Sequence, residues 1–226
     1  MTPSNRVSPR SGASRPWIVF DFDGTIADTA AQVLDVAIRL APEFGYPPPP
    51  PDARTRWRHI PIRDVLDELG IPTWRLPRMV RRFREEMGRD IERIAPVAGI
   101  PGVLRRLHGT GFPMAVFTTN AEANVHRFLA AHDLTVFRTV RSSTRMWGKA
   151  RGLNGLRKRL APGGGRMFYV GDETRDIQAA RRAGLVSVAV TWGYNSRDVL
   201  AAERPDFIVD APAGLLDVVN IERRGG

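Results

Sequence analysis

Five residues, Asp21-Phe22-Asp23-Gly24-Thr25, constrain this chain more than any other stretch. They follow the short apolar run Trp17-Ile18-Val19-Phe20 and precede Ile26-Ala27-Asp28-Thr29. A run that short, ending abruptly in acids and glycine, predicts a buried strand opening into a tight loop. The carboxyl end of a strand in a parallel sheet is where ligands collect. Two carboxylates two residues apart there can serve one reacting centre in different roles. One can attack as a nucleophile, and the other can act as general acid and then base. Gly24 permits a sharp turn and brings backbone N–H groups toward an anion. The plainer reading is a turn bracketed by two aspartates.

The rest of the chain shows what such a loop would belong to. Residues 1–16 are Ser, Pro, Arg and Gly with almost nothing apolar, and they read as a disordered tail. After the aspartate motif, Ala30, Val33, Leu34, Ala37, Ile38 and Ala41 recur at helical spacing. Five prolines, Pro47 to Pro51, then force an extended connector. A second helix fits Ile62 to Leu69. A third fits Leu76, Met79, Val80, Phe83, Met87, Ile91 and Ile94, with Arg81, Arg82, Arg84, Arg89 and Arg93 on its other face. Residues 30–95 are therefore expected to be an all-helical insert. From residue 96 helices and strands alternate: Val103 to His108, Met114 to Phe117, Val125 to Ala131, Phe137 to Val140, Ala150 to Leu160, Met167 to Val170, Ile177 to Ala183 and Val186 to Val190. A last unit joins Phe207-Ile208-Val209 to Leu215–Val219. Such alternation with short loops predicts an α/β fold, a doubly wound parallel sheet with a helical cap inserted after the first strand. The core would comprise residues 17–29 and 96–226.

Three further segments at predicted strand ends or helix starts carry polar residues. Thr118-Thr119-Asn120 offers a hydroxyl and adjacent N–H groups suited to phosphate oxygens, although such residues also cap helices. Gly148-Lys149-Ala150 puts a lysine at a helix N-terminus, against the dipole preference, so another interaction should hold it there. Gly171-Asp172-Glu173-Thr174-Arg175-Asp176 sets two carboxylates four residues apart at a strand-to-helix loop, which suits a hard cation such as Mg²⁺. The structural alternative is that Asp172 caps the helix and Asp176 pairs with Arg175 or Arg181.

Composition narrows the chemistry. The chain has no cysteine, so thiolate nucleophiles and disulfides are excluded, in keeping with a reducing cytoplasm. No apolar run approaches a membrane span. The net charge of +10 favours anionic partners and is nearly all arginine, since Lys149 and Lys158 are the two lysines. Nucleic acid is disfavoured as a partner because aromatic–basic interleaving such as Trp57-Arg58-His59 is sparse. The four histidines, His59, His108, His126 and His132, lack metal-ligand spacing.

Taken in order, DFDGTIADT, VFTTN, the lysine of WGKA, and VGDETRD resemble the four motifs of the haloacid dehalogenase-like hydrolases. The resemblance covers residues 17–220 and is strongest to the phosphoglycolate phosphatase branch, whose helical cap follows the first motif. It implies a Mg²⁺-dependent phosphomonoester hydrolase for a small phosphorylated metabolite. Asp21 would be the nucleophile forming an aspartyl-phosphate, and Asp23 the acid and base whose carbonyl also ligates the metal. Thr118 would bond the phosphoryl group and Lys149 would neutralise charge. Asp172 would complete the metal site, with Asp176 in its outer shell. Gly24, Thr25, Thr119 and Asn120 are the accompanying phosphate-binding candidates. Arg58, His59 and Arg63 are candidates for gripping the leaving group. The acid at position 23 matches phosphatases and phosphomutases, whereas dehalogenases lack it and transport ATPases carry threonine there. A β-phosphoglucomutase-like mutase shares all four motifs, and a non-catalytic nucleic-acid-binding protein on the same fold is the reading from another class. The enzyme is expected to act as a monomer or homodimer.

Overall fold

The computed structural model describes residues 15–143 and 148–224, so nearly all of the expected N-terminal tail, and Trp147 of the lysine motif, lie outside the described residues. The chain opens with β1 (Trp17–Phe20) and continues into helices α1 (Ala30–Phe44), α2 (Ala53–Arg56), α3 (Ile62–Glu68) and α4 (Leu76–Met87). It then alternates through α5 (Ile100–Gly109), β2 (Met114–Thr118), α6 (Glu122–Ala131), β3 (Thr139–Ser142), α7 (Lys149–Leu160) and β4 (Met167–Gly171). The remaining elements are α8 (Thr174–Ala183), β5 (Val186–Val190), α9 (Arg197–Ala202), β6 (Phe207–Val209) and α10 (Gly214–Arg224).

All strand pairs are parallel, in the order β3-β2-β1-β4-β5-β6. β1 lies between β2 and β4, which brings the ends of three motif-bearing strands side by side. Strand periodicity divides the core. Ile18, Phe20, Met114, Val116, Phe168 and Val170 join one apolar cluster, with side chains of α5, α6 and α10. Their alternate neighbours Val19, Ala115, Phe117, Met167 and Tyr169 join the other, with α7 and α8. A strand buried on both faces has no polar side to show, so these read as continuous apolar runs rather than alternating ones.

The helices between β1 and β2 make a third cluster of their own from Val36, Leu40, Phe44, Val65, Leu69 and Met79, among others. This insert departs from its sequence pattern at one point. The periodicity predicts a single helix reaching Ile94, but α4 stops at Met87 and a separate 3₁₀ turn spans Ile91–Arg93. Gly88 sits at the break, against the Asn124 side chain. Ile91 then turns inward and is fully buried in the sheet's cluster rather than the insert's. The edge strand β3 also starts later than its apolar pattern suggests. Phe137 precedes it, packing edge-on to Phe20 at 5.9 Å, and the pairing runs Val116 with Val140 and Thr118 with Ser142.

Among the described residues no helix is long and apolar enough to cross a membrane.

Because Ile91 anchors the end of the insert in the sheet's core, Ile91→Ala should destabilise the protein by about 2–5 kcal/mol, as buried aliphatic truncations do. Chemical denaturation of the variant would read this directly. A change below about 0.5 kcal/mol would mean that the turn does not anchor the insert.

Candidate active site

The backbone of Asp21 continues the β1 ladder, donating to the Val170 carbonyl at 2.8 Å, so the carboxylate leaves the sheet at its carboxyl edge. The loop then closes on itself. Ile26 and Ala27 both donate to the Phe22 carbonyl, and Gly24 donates to Ala27. Gly24 has φ 74°, and a Cβ there would land on the Asp172 carboxylate, so conformation and space both require glycine. The loop after β1 and the acid after β4 are thereby packed against each other.

Lys149, the first residue of α7, is the centre of the arrangement. Its Nζ lies 2.6 Å from Asp21 Oδ2 and 2.5 Å from Asp176 Oδ1, with all three side chains buried. Two carboxylates thus account for a cation at the positive end of a helix. Burial opposes its charge, but Asp176 and Asp21 outweigh that and hold the ammonium above its ordinary range. Asp176 does not pair outward with Arg181. Its other oxygen accepts the Glu173 N–H at 3.1 Å in a capping box, with Glu173 as the N-cap of α8. Asp172 is free of the capping role. Its oxygens accept the Thr25 hydroxyl and the Tyr194 N–H, each at 2.7 Å.

Asp23 is held differently. The Asn120 amide donates to both of its oxygens at 3.1 Å. Asn120 is in turn fixed by Asn124 and by the Ala121 N–H. Thr118 is fully buried, its hydroxyl accepting the Asn120 N–H at 3.0 Å. The roles of these residues therefore divide. Thr118, Lys149 and Asp21 stand at the sheet edge. Thr25 and Asn120, expected among phosphate ligands, spend side-chain bonds on orienting Asp172 and Asp23. Thr119 offers its carbonyl to Arg84.

Charge distribution follows from burial. Desolvation, opposed by Lys149 and reinforced by Asp176, pushes the Asp21 carboxyl up to about 7. Desolvation also pushes Asp23 up to about 6, against the Asn120 hydrogen bonds, and holds Asp172 well above the carboxylate range, with Glu173 and Asp176 adding to it. Five carboxylates, Asp21, Asp23, Asp172, Glu173 and Asp176, meet three cations, Lys149, Arg175 and Arg84, which leaves two negative charges uncompensated when all ionise.

A divalent cation fits these residues. Asp21, Asp172 and Asp176 each offer a carboxylate oxygen, all within 4.8 Å of one another. Asp21 Oδ1 is buried and has no hydrogen-bond partner among the described residues. An orphaned anionic oxygen beside surplus negative charge is the donor set of a hard-cation site.

Two contributors escape the sequence pattern. Arg84, placed by periodicity on the solvated face of α4, instead reaches the sheet edge. It donates to the Thr119 carbonyl at 2.5 Å, to Ser142 Oγ at 3.2 Å and to the Ser143 carbonyl. Its position four residues after Val80 and three before Met87, inside the apolar spacing, was the available signal. The other is the segment after β5. Trp192 Nε1 donates to the Thr25 carbonyl, the Tyr194 hydroxyl shares a 2.6 Å bond with Thr29, and Asn195 donates to the Ile60 carbonyl of the insert. Its signal was Trp-Gly-Tyr-Asn at the end of an apolar strand. Gly193 lies so close to Asp172 that a Cβ would collide with the carboxylate.

A cavity of about 370 Å³ runs from Asp23, Asn120 and Arg175 into the helical insert. Arg58 lines it, with its guanidinium donating to the Thr191 carbonyl at 3.1 Å. His59 and Arg63 are exposed and are not among its lining residues, so the expected grouping of the three is not assembled.

Buried acids around one lysine, at the carboxyl edge of a doubly wound sheet, define a phosphoryl-transfer type of site. The family model for haloacid dehalogenase-like hydrolases matches residues 18–190. A phosphoglycolate phosphatase of Synechococcus elongatus is 34% identical over 203 residues, covering 89% of this chain and 96% of that one. One from Aliivibrio fischeri is 28% identical, covering 91% and 97%. A haloacid dehalogenase-like hydrolase structure from Streptococcus pneumoniae superposes with a TM-score of 0.72 at 22% identity, covering 90% of this chain and 98% of that one, and shares the fold. The chain belongs to the haloacid dehalogenase-like hydrolase family, in its phosphoglycolate phosphatase-like branch. As an enzyme it is a phosphatase.

The raised carboxyls have a thermodynamic consequence. Asp21 and Asp23 bind protons more tightly folded than unfolded, so the folded state holds more protons between about pH 4 and pH 7. Stability of the metal-free protein should then fall as pH rises through that window. Asp21→Asn removes one of these charges and should melt higher than wild type at pH 8 in chelator. Differential scanning fluorimetry reads this, and a lower melting temperature for the variant would contradict the electrostatic account.

Proposed function

We propose that this phosphatase is a Mg²⁺-dependent phosphomonoester hydrolase working through an aspartyl-phosphate on Asp21. The observation that carries the reading is the buried Asp21 carboxylate, 2.6 Å from Lys149, with Asp23 two residues on and held apart by Asn120. Lys149 favours the anionic form of Asp21 against its burial and offsets its repulsion from a phosphate dianion. Asp23 sits in a separate environment, where burial pushes its carboxyl up to about 6 against the Asn120 hydrogen bonds, toward the range in which a general acid and base works.

In the first step an Asp21 oxygen bonds to phosphorus as the ester P–O bond breaks, and Asp23 gives its proton to the departing oxygen. In the second, Asp23 takes a proton from water as that water's oxygen bonds to phosphorus. The Asp21–phosphorus bond then breaks and returns the carboxylate. Thr118 donates its hydroxyl to the phosphoryl oxygens. Mg²⁺, held by Asp21 and Asp172 with Asp176 behind them and the Asp23 carbonyl as a further ligand, would supply Lewis-acid charge neutralisation. Residues 30–95 act as a cap that covers this edge and shapes the space for the leaving group, here with Arg58 at its margin. The substrate is a small phosphorylated compound. Names of the relatives make phosphoglycolate the reference compound to test.

Phosphate release from an aryl phosphate should require Mg²⁺ and cease in chelator. Asp21→Asn should lower kcat on the order of a thousandfold or more, and Asp23→Asn should cost roughly 10²–10⁴-fold on substrates with poor leaving groups. A colorimetric phosphate assay reads each. Full activity in Asp21→Asn would remove the nucleophile assignment, and isomerised product in place of free phosphate would replace the hydrolase by a mutase.

A further inference from the structure

The cavity over the site is larger and more apolar than a two-carbon acid requires. Its volume of about 370 Å³ falls in the range of roughly 300–1,000 Å³ typical of pockets that enclose whole drug-sized ligands. On the phosphatase reading, the phosphoryl group would take only the end at Asp23, Asn120 and Arg175. Beyond that the walls come from α1, α3 and α4, through Val33, Leu34, Leu66, Met79, Val80 and Phe83.

The charged residues of the lining are Asp23, Asp28, Glu173 and Arg175 of the core and Arg54, Arg58 and Arg84 of the insert. The guanidinium of Arg84 is committed to the Thr119 and Ser143 carbonyls and to Ser142. Arg58 is exposed and bonded to the Thr191 carbonyl, and Arg54 is exposed as well. Arg175 stands at the phosphoryl end, where two of its nitrogens hold Glu173. In the insert's part of the lining, Trp57 Nε1 is a neutral donor, buried and without an acceptor among the described residues. A carboxylate carried between α1, α3 and α4 would lose its water against aliphatic walls, because the cation those helices give the lining is Arg84, already committed to backbone carbonyls and Ser142.

We infer that the site takes phosphomonoesters of apolar alcohols, with an alkyl or aryl leaving group seated among α1, α3 and α4, rather than the ester of a short anionic acid. The inference rests on the phosphatase reading and refines its substrate class. Apolar burial then supplies binding in proportion to the surface removed from water. The neutral indole N–H of Trp57 suits an ether, carbonyl or ring-nitrogen acceptor on such a group.

A homologous series tests this with the chemistry held constant, because straight-chain alkyl phosphates share nearly one leaving-group basicity. With the Mg²⁺-loaded full chain, kcat/KM for methyl through hexyl phosphate should rise about fourfold per methylene. Phosphoglycolate should fall below the hexyl ester. Val80→Trp, which fills part of the cavity, should lower the ratio of hexyl to methyl turnover at least tenfold. If that variant does not fold, the wild-type series decides alone. A series flat in chain length, or phosphoglycolate exceeding every alkyl ester, would overturn the inference while leaving the phosphatase reading intact. No release from any ester, phosphoglycolate included, would overturn both.

Discussion

Everything at the sheet edge depends on how one lysine is shared between two buried carboxylates. Lys149 reaches Asp21, just after β1, and Asp176, in the first turn of α8. Without it, Asp21 and Asp172 would face Asp176 as like charges in a medium that screens poorly, which favours the protonated forms of Asp21 and Asp172. One ammonium is still too little for the set, as the raised Asp21, Asp23 and Asp172 carboxyls record. The residual negative charge suits the site to a divalent cation. The same imbalance reduces stability in the unliganded protein, a common arrangement where function requires unfavourable charge to be held in place.

Loop packing turns that charge cluster into a fixed geometry. Gly24 and Gly193 approach Asp172 from opposite segments, and neither leaves room for a Cβ. Thr25 and the Tyr194 N–H then set the orientation of its two oxygens. The insert is tied to this edge at several points, through Arg84 on the loop after β2, Asn195 on the Ile60 carbonyl, and Arg58 on the Thr191 carbonyl. These bonds link the walls of the cavity to the segments after β2 and β5 at the carboxyl edge of the sheet.

Much of this was legible in the sequence, for a physical reason. Strands buried on both faces are continuous apolar runs, and their ends are marked by the first polar residues. Asp21, Thr118 and Asp172 therefore announced themselves, and Lys149 stood out by occupying the wrong end of a helix dipole. What could not be read were properties set by side-chain direction and tertiary distance. Arg84 looked like one of several solvated arginines until α4 was placed beside the loop after β2. The helix that periodicity carried to Ile94 breaks at Gly88, because close approach to Asn124 and the pull of the sheet's core on Ile91 outweigh the local pattern. Thr25 and Asn120 were recognisable as site residues, but their partners, Asp172 and Asp23, lie 147 and 97 residues away in sequence. The apolar cavity arises between helices that each look like ordinary amphipathic elements.

The central claim is that Asp21 becomes covalently phosphorylated. An aryl phosphate departs without needing a proton, so Asp23→Asn should leave the first step largely intact while slowing attack of water in the second. Rapid acid quench of that variant with an aryl phosphate, followed by peptide mapping, measures the intermediate directly. The account expects a burst of phenol stoichiometric with enzyme and a phosphoryl group on the peptide containing Asp21. Turnover with no burst, or with the phosphoryl group on any other residue, would contradict it.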